Sequence, residues 1–384
     1  MDNQRVPFFE VILLSITVVI STAVLFLPYL TARAAGQDAW LSVLLAGGIA
    51  IIPAWCVGVV MARFPHKSII EALPTLLGNV LGKALGFGLL TVFFLAALLV
   101  VWQLEEFIIG TLMPETPGIA IRITFVLAVV YTVLHGAVPL LRTNVYIMLV
   151  GIIVVGLVIG LPMARMNPGY LLPVLEQGPN PMLEGAALLF GWICQVPVVI
   201  MMFHRFVENK FLKGAGVKSI KGVIVVTLAL LVGALGTIAT FGPRQTASSY
   251  YPSFAVASII SVGAFLEHIE VTFVGVWIAA MFVAGAFYIM SFADGTADLL
   301  GVKRSPWLYG LIIAALLGWP LVIDANIDVL IKYLSNWFPW AMTAAGGALP
   351  LLLLFRVLTL PPPTDNDRVR EERKEEKRAK KEEE

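Results

Sequence analysis

Charged residues are scarce over most of this chain. The last 20 residues hold 17 of the 51 charged residues, so only 34 are spread over the first 364. Soluble domains are about 25% charged and about 45–50% apolar, whereas 59% of this chain is hydrophobic. So few charges cannot cover a water-exposed surface, and a net charge of +1 gives no sign of nucleic-acid binding. The composition therefore predicts an all-α integral membrane protein rather than a soluble enzyme.

Cysteine and catalytic motifs are scarce as well. The chain has two cysteines, Cys56 and Cys194, each inside an apolar run, so neither a disulfide nor a metal site is predicted. The sequence shows no Ser/His/Asp set, no zinc-spaced Cys/His pattern and no phosphate-binding glycine loop. We therefore expect no catalysis, no metal and no cofactor. The first apolar run lacks a cleavage motif and is interpreted as a membrane span of the mature protein.

Ten apolar segments have about the length that a membrane-crossing helix needs, which is about 20 residues. We number them spans 1 to 10, and they cover 8–30, 39–62, 85–112, 119–137, 141–163, 183–203, 218–241, 268–293, 306–323 and 336–358. Residues 242–266 differ, because a polar run precedes an apolar stretch, 254–265, that is too short to cross. We interpret that stretch as a short helix along the outer surface, with an eleventh, broken span as the alternative.

The basic residues are divided unevenly between alternate loops. With the N-terminus in the cytoplasm, 21 of the 26 Lys and Arg residues lie inside. Cytoplasmic loops are enriched in such residues, so we predict an inner (cell or spore) membrane protein with both termini cytoplasmic. Residues 1–360 form the predicted transporter-like domain. Residues 361–384 form a charged cytoplasmic tail, which begins with three prolines that stop the last helix and which either solubilises the chain or docks a partner.

Spans 1 and 6 carry signals of an interrupted helix. Span 1 has Ser21 and Thr22 ahead of Pro28, which removes a backbone hydrogen bond near Val24. Span 6 has Gly191 and Pro197 on either side of Gln195. An ordinary kink or a polar packing stripe is the alternative in each case.

Two interrupted spans five apart suggest a transporter plan. Transporters built from inverted repeats place broken helices at matching positions of the two halves, beside a site at the membrane midplane. We predict a 5+5 inverted repeat, with halves at about 8–163 and 183–358. The ends of the half-helices suit an amino acid, because N–H groups bind its carboxylate and free carbonyls bind its ammonium. The candidate ligand-binding residues are Ser21, Thr22, Ala23, Val24, Gly191 and Gln195.

Five further acidic or titratable side chains are candidate functional groups. Glu105 and Glu106 lie in span 3, and an unpaired carboxylate in hydrocarbon usually faces an interior path. We predict that Glu105 faces such a path and that Glu106 is the less buried, with snorkelling to the headgroups as the alternative. Glu267, His268 and Glu270 begin span 8 and form either a pH-sensitive outer gate or a local salt-bridge cluster.

Two blocks of sequence resemble the spore-germination permease family, the B-type membrane subunits of germinant receptors in endospore-forming bacteria. The first block is STAVLFLP at 21–28 with AAGQDAWLS at 34–42. The second is YPS at 251–253, ISVGAFLEHIE at 260–270 and VWI at 276–278. The resemblance covers residues 1 to about 360. The family pattern FLERIE has Arg where this chain has His268.

The resemblance implies a function and partners. It implies the fold of the amino acid–polyamine–organocation transporters and a role in sensing a small germinant, usually an amino acid. It also implies a larger A-type subunit and a C-type lipoprotein as partners. Two alternatives stay open at this point. One is an active amino-acid permease, proton-coupled through Glu105, and the other is a channel-like subunit.

Overall fold

The computed structural model describes residues 5–260, 269–302, 306–323 and 326–359. These residues form helices and no strand, which confirms the all-α membrane class. The helices are α1 (Phe8–Ala23), α2 (Leu27–Ala35), α3 (Ala39–Ala62), α4 (Ile69–Leu77), α5 (Asn79–Phe107), α6 (Gly118–His135), α7 (Ala137–Gly160), α8 (Pro179–Ile193), α9 (Gln195–Phe203), α10 (Ala215–Phe241), α11 (Pro243–Thr246), α12 (Pro252–Ser258), α13 (Ile269–Leu300), α14 (Pro306–Gly318), α15 (Ile327–Lys332), α16 (Phe338–Met342) and α17 (Leu349–Thr359).

Among the described residues, eight helical segments are long and apolar enough to cross a membrane. Two shorter apolar helices cover Phe8–Ala23 and Trp307–Leu321, at the positions of predicted spans 1 and 9. Span 1 consists of α1 and α2, and span 6 consists of α8 and α9. Span 10 consists of α15, α16 and α17, joined by π-helical turns, and starts at Ile327 rather than at the predicted residue 336. The inverted repeat stays a prediction.

Span 1 lies at the centre of the helix bundle. α1 packs against α7, α9, α10 and α13, and most of its side chains are buried. α7, by contrast, exposes long apolar side chains along most of its length, as expected of a helix that faces lipid. α3 and α10 approach closely at Gly58, where a side chain would overlap the backbone of Gly216. Small residues at such crossings let membrane helices pack through their backbones.

A polar network ties the helices together at the end that carries Val6 and Val207, which we call the inner end after the predicted orientation. Arg205 follows α9 and forms an ion pair of 2.6 Å with Asp298 of α13. Ser68 donates a hydrogen bond of 2.7 Å to the same carboxylate and also caps α4, where its side chain accepts from the Glu71 N–H. The network therefore joins span 6, span 8 and the loop helix α4.

The segment between spans 7 and 8 contains a short helix that overlaps only the first part of the one predicted over 254–265. α12 covers only Pro252–Ser258, too few residues to cross a membrane. Residues 261–268, including Glu267 and His268 of the suggested outer gate, lie outside the described residues. The tail from residue 360 onward lies outside them as well.

Candidate functional site

Span 1 is interrupted between α1 and α2, close to the predicted position. α1 ends at Ala23 and α2 begins at Leu27. Pro28 has no N–H, so it cannot bond the carbonyl of Val24 four residues earlier. The Ser253 hydroxyl donates to that carbonyl instead, over 2.6 Å. The Trp277 indole N–H likewise donates to the carbonyl of Ser21 over 2.8 Å. The carbonyls freed by the break are therefore bonded by groups from outside the helix.

Span 6 is interrupted at Cys194, between α8 and α9. Span 10 packs directly on this break. A side chain at Gly346 would overlap the carbonyl of Cys194, and one at Gly191 would overlap the backbone of Pro339. Gly191 therefore allows close packing of two helices, and its predicted contact with a ligand stays a prediction.

A buried hydrogen-bonded group, which we call the Gln195 cluster, joins the two breaks. The Gln195 side-chain oxygen accepts from the Tyr288 hydroxyl over 2.7 Å and lies 3.3 Å from the Thr22 hydroxyl. The Gln195 amide nitrogen donates to the carbonyl of Trp192 over 3.0 Å. Gln195 is 0% exposed and Thr22 is 1% exposed. The structure thus brings together two of the predicted site residues, Thr22 and Gln195.

The other predicted residues of span 1 line the same break. Ser21 is buried and its hydroxyl donates to the carbonyl of Val18 over 3.2 Å. Ala23 is fully buried, and Val24 is partly exposed. Ala23 and Val24 line a small apolar cavity of about 90 Å³, while Ser21 and Val24 line a larger one of about 440 Å³. Neither cavity includes a residue of the Gln195 cluster.

Aromatic rings pack around the break of span 1. Phe107 of α5 contacts Trp277, Tyr251 and Phe254, with ring centroids 4.9 Å, 5.1 Å and 5.4 Å apart. Phe26, inside the break of span 1, contacts Tyr251 at 5.2 Å. Such edge-to-face pairs favour a defined geometry. Spans 1, 3 and 8 therefore meet in one aromatic layer at the span 1 break.

Glu105 lies apart from this site. Its carboxylate forms an ion pair of 2.9 Å with Arg122 of α6, and both side chains are 11% exposed. Arg122 also donates to the carbonyl of Leu317 over 2.8 Å. Glu106 is less buried than Glu105, as the sequence analysis expected, and accepts from the indole of Trp102 over 3.3 Å. The structure therefore gives Glu105 a partner on span 4, and its role toward a ligand stays a prediction.

A polar cavity of about 870 Å³ opens between α2, α8 and span 10 at the outer end, and we call it the vestibule. Its charged lining residues are Arg33, Glu184, Asp328 and Lys332. Arg33 donates to the hydroxyl of Tyr29 over 2.6 Å, and Tyr250 donates to Asp328 over 2.8 Å. The hydrogen bond to Asp328 raises the pKa of the Tyr250 hydroxyl, which therefore stays protonated. Glu270 lies in the first turn of α13 and does not line the vestibule.

Trp277, Tyr288 and Ser253 were not predicted as site residues, although Trp277 and Ser253 lie in the second block that resembles the family. Trp277 and Tyr288 are eleven residues apart, which is about three turns of α-helix, so both side chains lie on one face of α13. Two aromatic residues with polar tips on one face of an apolar helix are a signal that could have found them. For Ser253, the signal in the sequence is its place in the YPS segment, and its hydrogen bond to Val24 forms only in the folded chain.

These features define an all-α integral membrane protein whose first and sixth spans are both interrupted at a shared buried site. Residues 5–326 match the family described as spore germination protein, and the chain belongs to that family. It is similar to spore germination protein KB of Bacillus subtilis, with 24% identity over 79% of this chain and 81% of that protein. It is 22% identical to spore germination protein YndE over 92% of this chain and 96% of that protein, and 23% identical to spore germination protein A2 over 93% and 98%, both of Bacillus subtilis.

Proposed function

We propose that this protein is a membrane subunit of a spore germinant receptor that senses a small amino acid. The observation that carries the proposal is the Gln195 cluster, because it couples two helix breaks from opposite halves of the chain in a site closed to solvent. A ligand that binds between the breaks must move Thr22 and Gln195 relative to each other. That movement would change the packing of spans 1, 6 and 8 together.

The chemistry of the breaks favours a zwitterionic ligand. At the span 1 break, the carbonyls of Ser21 and Val24 are bonded by Trp277 and Ser253 rather than by their own helix, so a ligand could compete for these carbonyls. The positive end of a helix dipole suits a carboxylate, and carbonyls suit an ammonium. No charged side chain belongs to the Gln195 cluster, so an amino acid would be bound mainly by backbone dipoles and neutral hydrogen bonds.

The vestibule supplies a route for the ligand. It lies between α2 and α8, the outer halves of the two broken spans, and carries side chains of both charges. The Thr22–Gln195 contact of 3.3 Å is the longest in the cluster and the easiest to replace. We therefore expect the ligand to enter between α2 and α8 and to take over hydrogen bonds that Gln195 makes in the closed site.

A ligand panel on the purified protein tests this proposal. Free amino acids that bind only the folded state should raise its melting temperature, by an amount equivalent to about 2.7 kcal/mol at 100 times Kd. Thr22→Val keeps the shape and removes the hydroxyl, so it should weaken binding about two- to tenfold. Thr132→Val is the matched control, because Thr132 is exposed on α6 and bonds only its own helix. A panel without any shift would contradict the proposed function.

Transport and orientation need separate measurements. Binding without uptake into proteoliposomes supports a sensor, whereas concentrative uptake would identify a permease instead.

We also propose that both termini are cytoplasmic, so single cysteines at Lys213 and Ser248 should react with a membrane-impermeant reagent from opposite sides. Reaction of both from the same side would refute that topology. Co-purification of a large membrane subunit and a lipoprotein from spores would support the receptor assembly.

A further inference from the structure

Gln103 of α5 is a buried amide without a partner. Its side chain is 1% exposed, and neither the amide oxygen nor the amide nitrogen has a hydrogen-bond partner among the described residues. A primary amide offers two N–H donors and two acceptor sites. Buried polar groups in folded proteins are nearly always hydrogen-bonded, because an unpaired one is destabilising. Gln103 therefore has hydrogen bonds to gain from a group outside the described part of the chain.

The position of Gln103 on α5 directs it toward the helix breaks. It is one helical turn before Phe107, so both side chains lie on the same face of α5. Phe107 contacts Trp277, which bonds the carbonyl of Ser21 at the break of span 1. At the other end of this face, Phe93 contacts Phe287 of α13, with ring centroids 6.4 Å apart. Gln103 thus lies on the face of α5 that packs against α13, inward of the aromatic layer.

The side chains next to Gln103 in the sequence are directed elsewhere. Trp102 stacks on Trp319 with centroids 4.4 Å apart, and Glu105 pairs with Arg122 of α6. Both belong to the interface with spans 4 and 9 at the outer end. Glu106, the other polar side chain of this stretch, accepts from the Trp102 indole, whereas the Gln103 amide has no partner among the described residues.

We propose that Gln103 is a specificity-determining residue that binds the polar head of the amino-acid ligand. This inference rests on the proposed function. An amide presents a donor and an acceptor side by side, which matches the carboxylate and the ammonium of an α-amino acid. Because the amide is neutral, it recognises both groups without opposing either charge. It would favour amino acids over amines or carboxylic acids that carry only one of the two groups.

Gln103→Leu separates ligand recognition from packing. Leucine has a similar size and no hydrogen-bonding group, so removal of an unpaired amide should raise the melting temperature of the ligand-free protein. The same change should weaken amino-acid binding by about tenfold or more, because the ligand loses the bonds it makes to the amide. Asn144→Leu is the matched control. Asn144 on α7 is also fully buried with both amide atoms unpartnered, and its replacement should raise stability without weakening binding.

Gln103→Glu should change the ligand preference, and a residue with only a structural role would not affect that preference. The new carboxylate should repel the ligand carboxylate, so the preference should shift from the amino acid toward its decarboxylated amine. We would measure both variants by ligand-dependent melting shifts with the amino acid and the amine. Wild-type affinity in Gln103→Leu, together with higher stability, would show that the amide holds only a buried water and would overturn the inference.

A labelling experiment tests whether small polar molecules reach Gln103, and its result is independent of the proposed function. A wild-type protein that shows no shift with any amino acid would contradict the proposed function itself. Gln103→Cys, in a background that lacks Cys56 and Cys194, would then be treated with a small cationic thiol reagent and compared with Asn144→Cys. Faster reaction at position 103 supports a ligand-accessible site there. No reaction at position 103 under any condition would refute it.

Discussion

Replacing Gln195 with leucine should destabilise the protein in a way that a second replacement partly reverses. Gln195 makes three contacts, to Tyr288, Thr22 and the Trp192 carbonyl, at 2.7 Å, 3.3 Å and 3.0 Å. Thr22 keeps an alternative acceptor, because its hydroxyl is also 2.9 Å from the carbonyl of Val18. The Tyr288 hydroxyl has no other acceptor described and is 0% exposed. Gln195→Leu therefore leaves one buried donor unpaired.

The magnitudes predict that the Gln195→Leu/Tyr288→Phe double variant is more stable than Gln195→Leu alone. Hydrogen bonds between membrane helices contribute about 0.6 kcal/mol on average and up to about 1.7 kcal/mol, so the three contacts together contribute about 2 kcal/mol. An unpaired buried hydroxyl costs a further 1–3 kcal/mol, roughly. Gln195→Leu should thus cost about 3–5 kcal/mol. Adding Tyr288→Phe removes the unpaired hydroxyl and should restore about 1 kcal/mol or more.

Equilibrium unfolding in mixed detergent micelles would measure the wild type, both single variants and the double variant. Tyr131→Phe is the control, because Tyr131 is 66% exposed on α6 and should tolerate the loss of its hydroxyl. Independent sites add within about 0.5 kcal/mol. Tyr288→Phe could lower the stability of Gln195→Leu by as much as it lowers the stability of the wild type. In that case the two residues are not coupled and the Gln195 cluster is refuted.

Three further changes test single contacts. Glu105→Gln leaves the Arg122 guanidinium without its carboxylate in a site that is 11% exposed, so unfolding should become easier by about 3 kcal/mol, and Arg122→Gln in the same chain should recover part of the loss. Gly191→Ala should lower the melting temperature because the methyl group overlaps the backbone of span 10, whereas Gly48→Ala, with open space at that position, should be neutral or stabilising. Trp277→Phe keeps a ring on Phe107 and removes the donor to the span 1 break, so stability should fall by about 1 kcal/mol.

Each of these three predictions has an outcome that would contradict it. If the stability losses of Glu105→Gln and Arg122→Gln add in the double variant, the two side chains do not interact. Equal melting temperatures for Gly191→Ala and Gly48→Ala would show that span 10 does not press on the span 6 break. An unchanged Trp277→Phe protein would indicate that the break satisfies its carbonyl in another way.

The positions of the helix breaks were predictable because their causes are local. Pro28 lacks the N–H that would bond Val24, and this follows from the covalent structure of proline wherever the chain folds. The number of apolar segments was predictable for a similar reason, since a membrane fixes the length of a crossing helix. The start of span 10 was placed too late, because the charged residues Asp328 and Lys332 concealed a helix that begins at Ile327.

The partners of the site residues depended on tertiary structure. Thr22 and Gln195 are 173 positions apart and Trp277 is 256 positions from Ser21, so no local pattern links them. Gln103 is a single neutral residue in an apolar run, whereas Glu105 attracted attention through its charge. The sequence by itself determined where backbone groups are left unpaired, because that is set by proline and by helix geometry. Only the packing of the helical segments decided which side chains bond those groups, and which buried amides, such as Gln103, have no hydrogen-bond partner among the described residues.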